Sequence, residues 1–262
     1  MSALSLAVRD SNTMLRRNLL HARRYPSLTL NLLLTPVMLL LLFVYVFGNA
    51  MSAGIGDGAD RSDYIAYLVP GLLLMTVGST TVGTAVSVSN DMTEGIIARF
   101  RTMAVHRGSV LVGHVVSSVL QSVMSVVLVG AVAVAIGFRS TDATVLEWLA
   151  AFGLITLFSL ALTWIAVGMG LVSPSAETAS NNALPLIFLP LISSTFVPLH
   201  SMPGWFQPVA EYQPFTPAIE TLRGLLLGSG IGHHGWLALA WCAGLAALGY
   251  FWSASKFNSD PK

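Results

Sequence analysis

The chain has 262 residues, of which 54% are hydrophobic and only 10% charged, with a mean hydropathy of +0.73. A soluble domain carries about a quarter charged residues, so this sequence has too little polar surface to cover its apolar mass in water. The bilayer is the solvent that fits it. The net charge of +1 says little by itself, and the single cysteine, Cys242, sits in an apolar run, which excludes a disulfide framework and a cysteine metal site.

Residues 1–27 are amphipathic, with Leu4, Val8, Leu15, Leu19 and Leu20 interleaved with Arg16, Arg17, Arg23 and Arg24. That pattern predicts a helix lying on the membrane surface, ended by Tyr25-Pro26 because the residue before proline disfavours helix. The first long apolar run is 28–48. Roughly 20 residues at 1.5 Å each cross a hydrocarbon core of about 30 Å, so it reads as a retained span. A Gly/Asp loop at 49–63 leads to a second span at 64–89, and a polar, basic stretch at 90–108 leads to a third at 109–138. The fourth span is 148–172, with Glu147 at its end. A tight turn holding Pro174 precedes a fifth span at 179–197. A Pro/Gly/aromatic connection occupies 198–235, the sixth span is 236–255, and 256–262 is a short tail. The expected fold is therefore all-α, a single polytopic domain of six spans with an N-terminal interfacial helix.

The positive charges set the expected orientation. With both termini and the 90–108 loop in the cytoplasm, ten of the thirteen Lys and Arg residues are inside, and only Arg61, Arg139 and Arg223 are outside. The positive-inside rule selects this arrangement. Trp148, Trp205, Trp236 and Trp241 then fall near external interfaces, where aromatic belts form. Gly78, Gly83, Gly113, Gly130, Gly168 and Gly170 are small positions that allow helices to approach closely, within one chain or between two.

The spans hold almost no ionisable side chains; His114 lies near the start of the third. Coupling ions or protons usually requires such groups within the membrane, which argues against a secondary carrier. There is no Gly-x-x-x-x-Gly-Lys-Ser/Thr phosphate loop, and Lys256 and Lys262 are the only lysines. No His, Ser and carboxylate set has hydrolytic spacing, and the adjacent His233 and His234 form no more than a candidate metal pair. Energy for transport has to come from another chain.

Residues 91–107 are the most informative loop. Asp91 followed by Glu94 has the spacing of a capping box, with Asp91 as N-cap. Met92, Ile96 and Phe100 share one face, while Arg99 and Arg101 lie off it. This predicts a short amphipathic helix parallel to the membrane, either a lipid anchor or an element docking on a partner. In 198–235, Pro198, Pro203, Pro208, Pro214 and Pro217 prevent one continuous helix. Non-helical backbone at membrane depth survives only when buried in protein. Glu211, Glu220 and Arg223 supply the charges there, either as helix-end ion pairs or as a polar lining.

Three stretches together resemble the permeases of ABC type-2 transporters, in particular the daunorubicin-resistance-like branch of drug and lipid exporters. They are Arg16 to Pro26 with the span ending Tyr45-Val-Phe-Gly48; the Glu94-Gly95 loop running to Arg107; and Phe196 to Pro208 followed by Gln213-Pro-Phe-Thr-Pro217 and Leu222-Arg-Gly224. The resemblance implies a permease with no catalytic, metal or cofactor site of its own. Two copies of an ATP-binding cassette subunit, holding ATP and Mg, would join it to a second permease half in the bacterial inner membrane; no nucleic acid is involved. It further implies that Asp91, Glu94, Gly95, Ile96, Arg99, Phe100, Arg101 and Arg107 belong to the coupling helix, and that Arg16, Arg17, Arg23 and Arg24 belong to the connecting helix. An external re-entrant segment would carry Pro198, Pro203, Gly204, Trp205, Glu211, Pro214, Glu220 and Arg223. The family often has proline where this chain has Ala104. The expected cargo is a hydrophobic or amphipathic drug or lipid, the alternatives being a cell-surface glycolipid or polysaccharide, or a carrier without an ATPase.

Overall fold

The computed structural model describes residues 26–48, 50, 52, 60–93, 107–140 and 143–258, and among these the regular structure is helical, with no strand. The long helices are α1 (Pro26–Tyr45), α2 (Arg61–Thr93), α3 (Arg107–Ala135) and α4 (Val145–Val172). Short pieces follow: α5 (Ala176–Asn182), α6 (Pro185–Phe188), 3-10 turns at Leu189–Ile192 and Leu199–Ser201, and α7 (Gln207–Tyr212). The described chain closes with α8 (Phe215–Leu227) and α9 (His234–Asn258). Within α2, α3, α4 and α9, four stretches are long and apolar enough to cross a membrane. α1 is apolar as well, over the shorter stretch Leu34–Tyr45.

Local chemistry explains where these helices start. Asp60 accepts from the Ser62 and Asp63 backbone N–H groups at 2.7 and 3.0 Å, and Asp63 accepts from the Asp60 N–H at 2.9 Å. This reciprocal cap starts α2 ahead of the expected residue 64. Thr144 and Glu147 form a second capping box, so α4 begins at Val145, not Trp148. Ser175 caps α5 by accepting from the Thr178 N–H. Gly228 ends α8 in the left-handed region at φ 67°, a conformation that costs glycine little.

α2 is the axis of the fold. Its most apolar window is 89% buried, against 61% for that of α4, 33% for α3 and 22% for α9. α2 packs on α1, α3, α4, α5 and α8, whereas α9 packs mainly on α4 and α8. One buried cluster joins Leu68, Leu72, Leu74, Phe158, Leu162, Phe215, Ile219 and Leu222, and the Phe158 and Phe215 rings meet edge to face at 5.0 Å.

The expected fifth span is not one helix. Pro185 and Pro190 lack the N–H that an uninterrupted helix needs, and the backbone passes from α5 through α6 and a 3-10 turn into an irregular stretch at 193–198. This broken strand of chain nonetheless runs the length of α2. Ser173, at its start, accepts through its carbonyl from Ser89 Oγ. A Cβ on Gly78 would lie 2.5 Å from the Leu186 carbonyl oxygen, and one on Gly71 would lie 2.7 Å from Thr195 Cγ2. Ser194 reaches Tyr67. From residue 89 to residue 67, α2 rises about 33 Å. Glycine at 71 and 78 is what lets irregular backbone lie directly on the helix. Gly168 and Gly170 are likewise occupied within the chain, against Trp252 and against Ala85 and Val88.

Candidate functional site

Two buried polar clusters sit near opposite ends of α2. The first gathers on Arg223, which α8 presents toward the first turns of α2. The side chain is buried, which for a guanidinium is costly unless its N–H groups find acceptors. They do. Nε and Nη2 donate to the Tyr67 carbonyl at 3.3 and 3.0 Å, Nη2 donates to the Ser194 carbonyl at 3.0 Å, and Nη1 donates to Glu220 one turn earlier. The guanidinium also lies 3.8 Å from the centre of the Tyr67 ring, whose hydroxyl donates to the same Ser194 carbonyl at 2.8 Å. One arginine thus ties α2, the irregular stretch after the 3-10 turn and α8 together.

Neighbouring groups complete that tie. The Gln213 amide donates to Thr216 Oγ1 at 3.2 Å and to the Leu189 carbonyl at 3.4 Å, and its oxygen accepts from the Phe215 N–H at 3.0 Å. Thr216 Oγ1 accepts from the Ser194 N–H. Ser193 Oγ sits 2.7 Å from Thr195 Oγ1 and donates to the Pro190 carbonyl. These are the polar groups that a broken helix leaves without partners, answered by side chains from two elements.

The second cluster sits where α2 ends and α3 begins. His114 Nε2 lies 3.0 Å from Asp91 Oδ2, and both side chains are buried. The carboxylate and the imidazole share one hydrogen bond across the two helices. Farther along the same two helices, Thr84 Oγ1 donates to Ser118 Oγ at 2.6 Å, and Ser118 meets Thr163 of α4 at 3.2 Å. Thr80 and Ser122 hydroxyls meet at 2.6 Å. The result is a polar seam along an otherwise apolar helix interface. The signal was in the sequence: His114, Ser118 and Ser122 recur every four residues on α3, facing Thr80, Thr84 and Asp91 on α2.

The expected site residues fall into three groups. Arg16, Arg17, Arg23, Arg24, Glu94, Gly95, Ile96, Arg99, Phe100 and Arg101 lie outside the described residues, and Arg107 is the first residue of α3. Asp91 is corrected: it is not the N-cap of a new helix but stands inside the last turn of α2, where the helix continues through Thr93 and the carboxylate turns to His114. In the 198–235 connection, Glu220 and Arg223 come together. Glu211 lies apart from them, 3.8 Å from His233 Nε2. Pro198 precedes the 3-10 turn Leu199–Ser201, and Pro214 precedes α8. The Pro203 carbonyl accepts from the Phe206 and Gln207 N–H groups, while Gly204 and Trp205 form an exposed tip. Tyr67 and Ser194 were not singled out from the sequence, and Gln213 and Thr216 only as part of a family-like stretch; what joins them to the tie is contact across 22 to 156 positions of chain. The His233 and His234 rings stack 4.1 Å apart, and among the described residues no group of three metal-ligating side chains exists.

Four helices long and apolar enough to cross a membrane, tied together by buried polar groups, fit a polytopic helical membrane protein. The sequence pattern of the ABC-2 type transporter family matches residues 10–227, and the chain belongs to that family. It is 28% identical over 250 residues to the daunorubicin resistance ABC transporter permease protein DrrB1 of Streptomyces coeruleorubidus, covering 94% of this chain and 85% of that one. It is 23% identical over 218 residues to the probable doxorubicin resistance ABC transporter permease protein DrrC of Mycobacterium tuberculosis, covering 81% and 75%. Nodulation protein J of Rhizobium meliloti is 27% identical over 214 residues, covering 73% of each chain.

Proposed function

We propose that this chain is the membrane half of an ATP-driven exporter that moves a hydrophobic or amphipathic molecule, a drug or a lipid, out of the cytoplasm or the inner leaflet. Its match to the ABC-2 family over 10–227, with relatives named for daunorubicin and doxorubicin resistance, carries this reading. ATP and Mg belong to a separate cassette subunit present in two copies, and a second permease half completes the assembly. The chain crosses the inner membrane six times with both termini in the cytoplasm. The course of 173–195 along α2 supports a fifth crossing made of broken helix, and the packing of α8 against the start of α2, with α7 on α8, supports an external re-entrant segment.

Residues 91–107 form the contact with the ATPase in this reading, and residues 1–27 flank it. The face bearing Ile96 and Phe100 supplies the contact energy, about 1.5–3 kcal/mol for each side chain buried. Arg99 and Arg101 steer docking, since charges at a contact rim act on association more than on affinity. Glu94 adds to the same surface. The test is capture of the ATP-binding subunit by wild-type and Phe100→Ala permease at equal membrane levels, with doxorubicin efflux measured in parallel. The substitution is expected to weaken capture and efflux while leaving insertion intact. Unchanged capture and efflux would leave the segment a lipid anchor and remove its coupling role.

A further inference from the structure

Asp91 and His114 are the two ionisable side chains described on the facing surfaces of α2 and α3 beyond their first turns, and they are paired and buried. Their place in the chain is specific. Asp91 lies in the last described turn of α2, His114 two turns into α3, and the segment 94–106 is strung between them. The pair therefore links the end of α2 to the start of α3. A hydroxyl pair would have been enough to pack two membrane helices, as Thr84–Ser118 and Thr80–Ser122 do farther along the same interface. A carboxylate and an imidazole are costlier to bury than two hydroxyls, and they are directional, because one ring nitrogen meets one carboxylate oxygen along a fixed line.

The end of α2 is fastened on its other side too. Ser89 Oγ donates to the Ser173 carbonyl, and the Asn182 amide donates to Ser173 Oγ at 3.0 Å. Ser173 and Asn182 flank the start of the broken stretch that continues to Ser194 and the Arg223 tie. A displacement of the α2 end thus reaches α3 through this hydrogen-bonded pair and the Val88, Leu111 and Val115 packing beside it, and reaches the chain entering 176–195 through Ser89 and Ser173.

We infer that the Asp91–His114 pair is a positioning pair that locks the ends of α2 and α3 in register, so that a push on the segment between them moves both helices as one unit. The inference rests on the reading that this segment meets an ATP-binding subunit. Without the pair, the subunit still docks, but its hydrolysis no longer answers to the permease. An allosteric link of this kind corresponds to a change of about 5- to 150-fold.

The experiment uses the full permease in nanodiscs with the ATP-binding subunit that copurifies with it. Capture of the subunit and the permease-dependent part of its ATP hydrolysis are measured for wild type, His114→Leu, and the exchange Asp91→His with His114→Asp. His114→Leu is expected to keep capture within about twofold and to change the permease-dependent hydrolysis by about fivefold or more. The exchange, which restores an imidazole facing a carboxylate, is expected to return most of it; a side chain needed only for packing would not be rescued in this way. Unchanged hydrolysis in His114→Leu overturns the inference. So does loss of capture, which would make the pair part of the docking fold, and so does failure of the inserted exchange variant to recover. Should His114→Leu not insert, Asp91→Asn, which keeps the shape and removes the charge, carries the same comparison. Phe100→Ala separates the two readings. Capture lost there and kept in His114→Leu supports both, whereas capture kept in Phe100→Ala overturns the docking reading and this inference with it.

Discussion

α2 and α9 are both long and apolar, with mean hydropathies of 1.6 and 1.5 over their most apolar windows, yet the first is 89% buried there and the second 22%. Hydropathy does not separate them. What does is the serines and threonines, which are many along α2 and are only Ser253 and Ser255 on α9. α2 carries Gly71, Gly78, Ser79, Thr80, Thr81 and Thr84 in its middle, and helices in lipid associate through such residues, not through a hydrophobic drive. Their hydroxyls bond back to the helix, as Thr81 does to the Gly78 carbonyl, or across to α3. α9 instead turns Trp236, Leu239, Leu248 and Phe251 outward and touches α4 along one line, where Gly249 lies against Trp164 and Gly168 receives Trp252. An element packed on several sides needs glycine where another backbone comes close, as at Gly71 and Gly78; an element packed mainly on α4 and α8 is restricted along that side alone.

The comparison is broken most severely at Arg223. Arg223→Met keeps the length of the side chain but leaves the Tyr67 and Ser194 carbonyls short of donors and Glu220 without its partner. Each buried group left unsatisfied costs about 1–3 kcal/mol. The expected result is a large fall in the thermal midpoint of the purified permease, with protease cleavage appearing between residues 189 and 213. A midpoint within a degree of wild type would remove Arg223 from its place as the tie.

A smaller loss is expected at Gly78. In Gly78→Ala the new methyl would sit 2.5 Å from the Leu186 carbonyl oxygen, which is backbone and must move. Overpacking of this kind costs about 1–3 kcal/mol, read as a lowered unfolding midpoint in detergent. The same glycine-to-alanine change at Gly153, where nothing lies within 4 Å, is the control. Equal midpoints for the two variants would show that the close approach of 186 to α2 is not maintained.

The smallest effect belongs to the open face of α9. Leu248 is exposed, while its neighbour Gly249 is in contact with α4. Leu248→Ala is expected to change stability by less than about 0.5 kcal/mol, as surface substitutions away from packed features do. A loss comparable to that of Gly78→Ala, measured in the same detergent, would show that this face is covered by a second copy or by another chain.

Most of the helices could be read from the sequence, because apolar runs bounded by caps and prolines are local features. The Thr144-x-x-Glu147 cap starts α4 three residues ahead of the expected 148, while Pro174 marks the turn before α5 as expected. The fifth stretch departs from a single helix for a physical reason: 183–192 is wholly apolar, and hydropathy does not register that Pro185 and Pro190 remove donors. Whether such a run is a helix or a broken chain depends on whether another element can answer the freed carbonyls. Here Arg223 and Gln213 donate to the Ser194 and Leu189 carbonyls, and Thr216 accepts from the Ser194 N–H, each from 22 or more positions away.

Asp91 marks the same boundary. Its spacing to Glu94 fits a cap, and local pattern alone favours that use. Its carboxylate is instead drawn to His114, because an acid buried at the end of α2 needs a partner and α3 brings one to 3.0 Å. The sequence by itself determined that this chain lives in a bilayer, that it is helical, which stretches can span, and, through the arginines, the expected orientation of those spans. All of these follow from composition, run length and charge, which do not depend on which helix lies beside which. Only the tertiary structure decided that α2 is the axis, that a proline-broken strand of chain follows it from end to end, and that an arginine and a histidine hold its two ends. A buried polar group takes the partner that geometry delivers, and a linear sequence carries no record of which one that is.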